Sequence, residues 1–190
     1  MQRLFLASKY SVVAELAAPL LKPSARISYL GTAREGFDIS RPDTDRQALV
    51  EQGYTVSDLT LSMNAHELRC TLEASDALFV AGGNLSYLGN VLYHTGHAPL
   101  LADIVRQGLL YIGSSAGSMI IAQDIEAVRR IESSQWNQDP VATLEMTDFL
   151  VLPHASRNAE RYATLPSGRY ERLEDTEAIV VIGSTRIRVP

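Results

Sequence analysis

Short, predominantly apolar runs separated by longer amphipathic stretches are the feature that most narrows what this chain can fold into. Leu4 to Ala7, Ile27 to Leu30, Ala77 to Val80, Leu109 to Ile112, Phe149 to Leu152 and Ile179 to Ile182 are too short for buried helices. They read as strands covered on both faces, because little polar residue alternates with the apolar ones. Val12 to Leu21, Asp45 to Gln52, Ala65 to Glu73, Leu85 to His94 and Pro99 to Gln107 have the length of crossover helices, with Gly, Pro, Ser and Asp at the breaks. That order predicts an α/β fold, a three-layer sandwich around a mainly parallel central sheet. Ligands of such sheets gather beyond the carboxyl ends of the strands, which directs attention to the loops after Val80, Ile112 and Leu152.

The 190 residues suffice for one sizeable core and are read as a single domain, 1–190, with no internal repeat or linker. Hydrophobic residues at 46% and charged residues at 21% fit a packed globular chain. A formal charge of −5 offers no basic field for phosphates, so nucleic acid is not an expected partner and a small molecule or peptide is. The apolar run near Met1 is too short for a signal peptide core, and no stretch nears the roughly 20 apolar residues that span a bilayer. No membrane association is expected, and the cytoplasm is the expected address. Cys70, the single cysteine, excludes an internal disulfide, fits a reducing compartment and is read as a small buried apolar residue. The oligomeric state is not encoded in any feature; a homodimer is one arrangement the sequence allows.

Tyr111-Ile112 runs into Gly113-Ser114-Ser115-Ala116-Gly117 and then into a helix-compatible stretch. Gly-x-Ser-x-Gly between a buried strand and a helix is the context of a nucleophile elbow, and without that context it is an ordinary tight turn. Small neighbours let the backbone pass closely while the serine adopts a strained conformation and projects from the sheet. The Ala116 amide, at the start of the following helix, is then placed to stabilise an oxyanion. A second donor is expected from Ala81-Gly82-Gly83-Asn84, where two glycines after a buried strand expose backbone amides, Gly83 first among them. Phosphate binding by this turn is the weaker reading, since neither Gly-x-Gly-x-x-Gly nor Gly-Lys-Ser/Thr occurs.

A serine hydroxyl needs a base. Of His66, His94, His97 and His154, only His154 follows a strand of the expected core, after Leu152-Pro153, on the edge where the elbow lies. The other three are read as surface histidines on or beside helices. His94 and His97 have no carboxylate or cysteine partner nearby, so no metal or cofactor is expected. The third member of a triad is a carboxylate that fixes the imidazole tautomer. Asp124, Glu126, Glu132, Asp139, Glu145 and Asp148 lie between the serine and the histidine; Glu132 is the most central, and spacing alone does not choose among them.

Ala81-Gly82-Gly83-Asn84, Tyr111-Ile112-Gly113-Ser114-Ser115-Ala116-Gly117 and Leu152-Pro153-His154 resemble, in order and spacing, the peptidase E and cyanophycinase-like serine peptidases. The resemblance extends more weakly from Leu4 to Ile179. It implies a glutamine amidotransferase-like, flavodoxin-like fold with the elbow after a central strand. It implies a serine hydrolase that cleaves peptide bonds, a dipeptidase or exopeptidase acting on small, Asp-containing peptides. It carries the nucleophile onto Ser115, the base onto His154 and the acid onto Glu132, giving a Ser-His-Glu triad. Aspartyl dipeptidases of the family use Asp as the acid, so Glu132 matches the cyanophycinase-type choice. Leu85 also stands where Thr commonly follows the Gly-Gly-Asn turn, and the segment from His154 to Glu177 is short. An acidic substrate side chain would call for an arginine, and Arg157 and Arg161 are the nearest; with Asn84 they form the expected substrate-binding set. Two other classes compete: a non-catalytic ligand-binding module, and a glutaminase-like amidotransferase domain. The latter needs a cysteine at the elbow, and Cys70 is not there.

Overall fold

In the computed structural model, which describes residues 1–37, 40–132 and 134–190, a seven-stranded sheet runs through the centre. The elements in chain order are β1 (Arg3–Ala7), α1 (Tyr10–Ala17), β2 (Arg26–Leu30), α2 (Thr32–Glu35), α3 (Thr44–Glu51), β3 (Thr55–Leu59), α4 (Ala65–Glu73), β4 (Ala77–Val80), α5 (Leu85–Thr95) and α6 (Ala98–Gln107). They continue with β5 (Leu110–Ser114), α7 (Ala116–Met119), α8 (Glu126–Arg129), β6 (Leu150–Leu152), α9 (Ala159–Ala163), β7 (Tyr170–Arg172), β8 (Ala178–Ile182) and β9 (Thr185–Val189). The sheet order is β3-β2-β4-β5-β1-β8-β9. From β3 to β1 all pairings are parallel, whereas β8 and β9 are antiparallel additions on the β1 side.

Successive side chains on a strand point to opposite faces, so each buried strand feeds two cores. Leu4 and Leu6, Leu78 and Val80, and Tyr111 pack with Leu68, Leu72, Leu88, Leu101 and Val105 from α4, α5 and α6. Phe5 and Ala7, Ala77 and Phe79, and Leu110 and Ile112 pack instead with Tyr10, Val13 and Leu49 from α1 and α3. Both layers of the expected sandwich are therefore present. Helix ends follow local chemistry. Asn64 and Glu67 form a capping box at the start of α4, and α5 stops at Gly96, whose φ of 67° is left-handed. The first helix ends at Ala17, short of the expected Leu21. Pro19 follows in a 3-10 turn, because it has no amide hydrogen to continue an α-helix.

One expected strand lies elsewhere. Leu150–Leu152 is buried but does not join the central sheet; it pairs in parallel with β7 in a separate two-stranded ribbon. An apolar run reports burial and not which partner buries it. This ribbon delivers the histidine to the site. Among the described residues no helix is long and apolar enough to cross a membrane.

Candidate active site

The carboxyl ends of β4, β5 and β1, three adjacent strands, converge at one edge of the sheet. At the end of β5 the chain turns through Ser115, whose φ of 50° and ψ of −110° are a backbone state that L-residues rarely adopt. Such a state costs on the order of 1–3 kcal/mol and persists only when the surroundings impose it. Here they do. The Ser115 amide donates to the Ala7 carbonyl at 3.0 Å, and the Ser118 hydroxyl bonds to the Ala7 and Gly113 carbonyls at 2.7 and 2.8 Å. The Tyr111 hydroxyl donates to the Gly117 carbonyl at 2.6 Å. A Cβ on Gly117 would lie 2.0 Å from the Val80 carbonyl oxygen, and one on Gly113 would lie 2.6 Å from the Gly117 carbonyl oxygen. Both glycines of the motif are thus required by close approach of backbone to backbone.

Opposite the elbow stands His154. Its Nε2 lies 3.3 Å from Ser115 Oγ, within proton-transfer reach. The β6–β7 pairing explains how it arrives. The register Leu152↔Arg172 continues as Leu173 donates to the Leu152 carbonyl at 3.0 Å and Ala155 to the Leu173 carbonyl at 3.0 Å. Glu174 then accepts from the Ser156 amide and hydroxyl at 3.2 and 2.6 Å. Zipped in this way, the two segments bring Asp175 against His154, and its Oδ1 hydrogen-bonds His154 Nδ1. The hydroxyl of Ser8, just beyond β1, donates to the same Asp175 oxygen at 3.0 Å and accepts from the His154 amide at 2.8 Å.

The carboxylate beside His154 is Asp175 and not Glu132. Glu132 makes no hydrogen bond to His154; both ring nitrogens are taken up by Ser115, Asp175 and Ser8. Glu132 instead lies beyond α8, near Arg161 and Tyr162, where burial raises its carboxyl above the ordinary value against the opposing charge of Arg161. Asp175 follows the histidine and so lies outside the stretch between serine and histidine in which the acid was expected. A signal existed: Glu174-Asp175-Thr176-Glu177 directly precedes β8. Because β8 is antiparallel, its start lies at the same edge as the elbow.

The remaining candidates separate. Gly83 has a φ of 147°, and a Cβ there would lie 2.2 Å from the Ala33 carbonyl oxygen, so the loop after β4 packs on α2 through bare backbone. Gly82 abuts the elbow instead, with its would-be Cβ 3.2 Å from that of Ser115. Ala116 follows Ser115 and begins α7. Asn84 is committed to structure, its Oδ1 capping α5 through the Tyr87 amide at 2.8 Å and its Nδ2 donating to Ser134 Oγ at 2.9 Å. Arg157 lines the cavity beside His154; Arg161 does not, and sits on α9 near Glu132. Two further residues correct the sequence reading. Cys70 is exposed on α4, its sulfur 3.8 Å from His66 Nε2, and His97 is buried with Nε2 2.9 Å from the Met63 carbonyl oxygen.

A cavity of about 300 Å³ opens on Ser115 and His154, lined also by Gly82, Gly83, Tyr29, Asp43, Lys9 and Arg157. Its walls carry both signs of charge. Asp43 is held by the Tyr29 hydroxyl at 2.6 Å and by Arg34 at 3.2 Å. A larger hollow of about 1010 Å³ lies at the opposite end of the strands, where Arg169 pairs with Asp148 and Arg186 with Glu171. Among the described residues no group of three or more His, Cys, Asp or Glu could hold a metal ion. Burial lowers the His154 imidazole below its ordinary value despite its bond to Asp175, with Arg157 and Lys9 adding to the effect. Burial alone would raise Asp175, yet the hydrogen bond and charge of His154 and the bond from Ser8 leave its carboxyl lowered. The imidazole is therefore neutral, and the carboxylate ionised, near neutral pH.

An elbow serine within reach of a histidine, on a mainly parallel α/β sandwich, defines a serine hydrolase. The comparisons narrow that class. The family model of peptidase family S51 matches residues 9–187, and an uncharacterized peptidase of Pasteurella multocida is 30% identical over 98% of this chain and 97% of its own length. A peptidase E of Streptomyces coelicolor is 35% identical over 44% of this chain and 33% of its own length. The fold matches the crystal structure of a candidate peptidase E from Listeria monocytogenes EGD-e, with a TM-score of 0.85 at 23% identity, covering 100% of this chain and 98% of that one. The chain belongs to peptidase family S51 and is a serine peptidase.

The elbow geometry yields a stability test. Gly117→Ala is expected to lower unfolding free energy by at least ~2 kcal/mol, since the added methyl must displace the β4 backbone. Urea unfolding followed by circular dichroism reads this, and a midpoint equal to that of the native chain would contradict the packing described.

Proposed function

We propose that this peptidase is a dipeptidase or exopeptidase of the peptidase E type that hydrolyses small, Asp-containing peptides, with Ser115, His154 and Asp175 as its triad. The observation that carries the reading is the unbroken chain of contacts from Ser115 Oγ through the His154 ring to Asp175. His154 Nε2 takes the hydroxyl proton as Ser115 Oγ attacks the scissile carbonyl. Asp175 holds Nδ1 protonated, so that Nε2 is the free acceptor, and stabilises the imidazolium that forms. The amides of Gly83 and Ala116 receive the oxyanion, a role that suits donors fixed in place before the charge develops. The imidazolium then protonates the leaving amine, and a water molecule activated by the same histidine releases the acyl group.

Substrate size and charge support the finer reading. About 300 Å³ is at the lower bound for ligand pockets and suits a dipeptide better than a folded chain. Lys9 and Arg157 flank His154 on the cavity wall and would pair with a substrate carboxylate. Asp45, which also lines the cavity, would favour a free amino group. A cytoplasmic address belongs to the same reading, because an exposed free thiol such as Cys70 is at home in a reducing compartment.

Two measurements test it. Asp175→Asn is expected to lose on the order of 10⁴ in kcat toward an Asp-X dipeptide, whereas Glu132→Gln keeps native turnover. Collapse of Glu132→Gln with Asp175→Asn intact would return the acid to Glu132. The pH profile of kcat/KM reports the free-enzyme histidine. Because its conjugate acid is held below the ordinary value of 6.5, activity should persist at that pH and fall only on further acidification. An acid limb centred above neutrality would contradict the environment described for His154.

A further inference from the structure

We infer that Ser8 is a positioning residue for the histidine and its carboxylate, fixing the imidazole tautomer and the geometry from which Nε2 faces Ser115; this rests on the triad proposed above. Ser8 is fully buried and follows the last residue of β1. Its hydroxyl has one hydrogen and two lone pairs, and the surrounding distances assign both kinds of bond. The oxygen accepts the His154 amide at 2.8 Å, and the hydrogen goes to Asp175 Oδ1 at 3.0 Å. Ser8 Oγ also lies 3.4 Å from His154 Nδ1, but with its hydrogen given to Asp175 it cannot donate there. A ring nitrogen facing a carboxylate oxygen and a hydroxyl oxygen that both act as acceptors must carry the proton. The tautomer with Nε2 free is thereby selected by two residues and not by Asp175 alone.

The backbone contact has its own consequence. His154 has a φ of 57°, a left-handed conformation unusual for a side chain of this size. Its amide donates to the buried Ser8 hydroxyl, which satisfies a donor that this turn leaves outside any strand pairing. Asp175 is partly open to water, with 41% of its side-chain surface exposed, so a protein donor on Oδ1 also holds the carboxylate against rotation into solvent. The neighbouring Ala7 carbonyl accepts the Ser115 amide and the Ser118 hydroxyl, so adjacent residues of one chain end hold the nucleophile and the base. Their relative position is set by a single rigid strand.

The test uses Ser8→Ala, Ser8→Thr and Asp175→Asn in the full chain, each checked for native thermal unfolding, with a dipeptide and a small activated ester as substrates. Ser8→Ala should lower kcat by about tenfold to a hundredfold, the range for one hydrogen bond to a charged group, with KM unchanged. Its acid limb should move to higher pH, because a carboxylate freed of one donor holds the imidazolium proton more tightly. Ser8→Thr, which keeps the hydroxyl, should recover most of the rate and restore the limb; it also serves where Ser8→Ala does not fold. Native kcat and limb in Ser8→Ala, or equal losses in the alanine and threonine variants, would overturn the inference while a collapsed Asp175→Asn left the triad standing. Full activity in Asp175→Asn would remove the triad itself.

Discussion

Everything at this site is referenced to the carboxyl end of β1. The Ala7 carbonyl holds the strained turn at Ser115, and the next residue, Ser8, bonds to His154 and Asp175. β1 is itself clamped between β5 and β8 and buried on both faces, so this end of the strand is among the least free points in the fold. A positive φ at Ser115 and another at His154 are each unfavourable in isolation. They are tolerated together because one rigid abutment supplies hydrogen-bond partners for both.

The electrostatics follow from the same packing. Burial disfavours the charged imidazole, while Asp175 favours it, and the balance leaves the imidazole of His154 below its ordinary value. Asp175 is lowered although burial acts the other way, because its oxygen accepts from both His154 and Ser8. The cavity in front of this pair is small and lined by both signs of charge.

Much of this was legible in the residues, and the failures have physical causes. Continuous apolar runs located β1, β2, β4, β5 and β8, because strands buried on both faces have no polar side. The edge strands β3 and β9 escaped notice: Thr55-Val56-Ser57-Asp58-Leu59 and Thr185-Arg186-Ile187-Arg188-Val189 carry polar side chains that face water. Gly-x-Ser-x-Gly identified the elbow, since close backbone contact leaves a mark that only glycine can make. Ser115 and His154 do meet in space, although the strand before the histidine belongs to a ribbon outside the central sheet. Asp175 and Ser8 left no comparable mark. Ser8 is a common polar residue at a strand end, Asp175 is one of several acidic residues in the loop before β8, and their meeting arises from an antiparallel strand and a ribbon pairing that no local pattern specifies. Asn84 was overread for the converse reason, being a helix cap in a loop that also lines the site.

The proposal that Ser115 is the activated nucleophile stands or falls on mass-spectrometric mapping after exposure to an aryl fluorophosphonate. A single adduct is expected, on the peptide containing Ser115, which disappears in Ser115→Ala and forms far more slowly when His154 is replaced. An adduct on another serine, or labelling indifferent to the histidine, would contradict it.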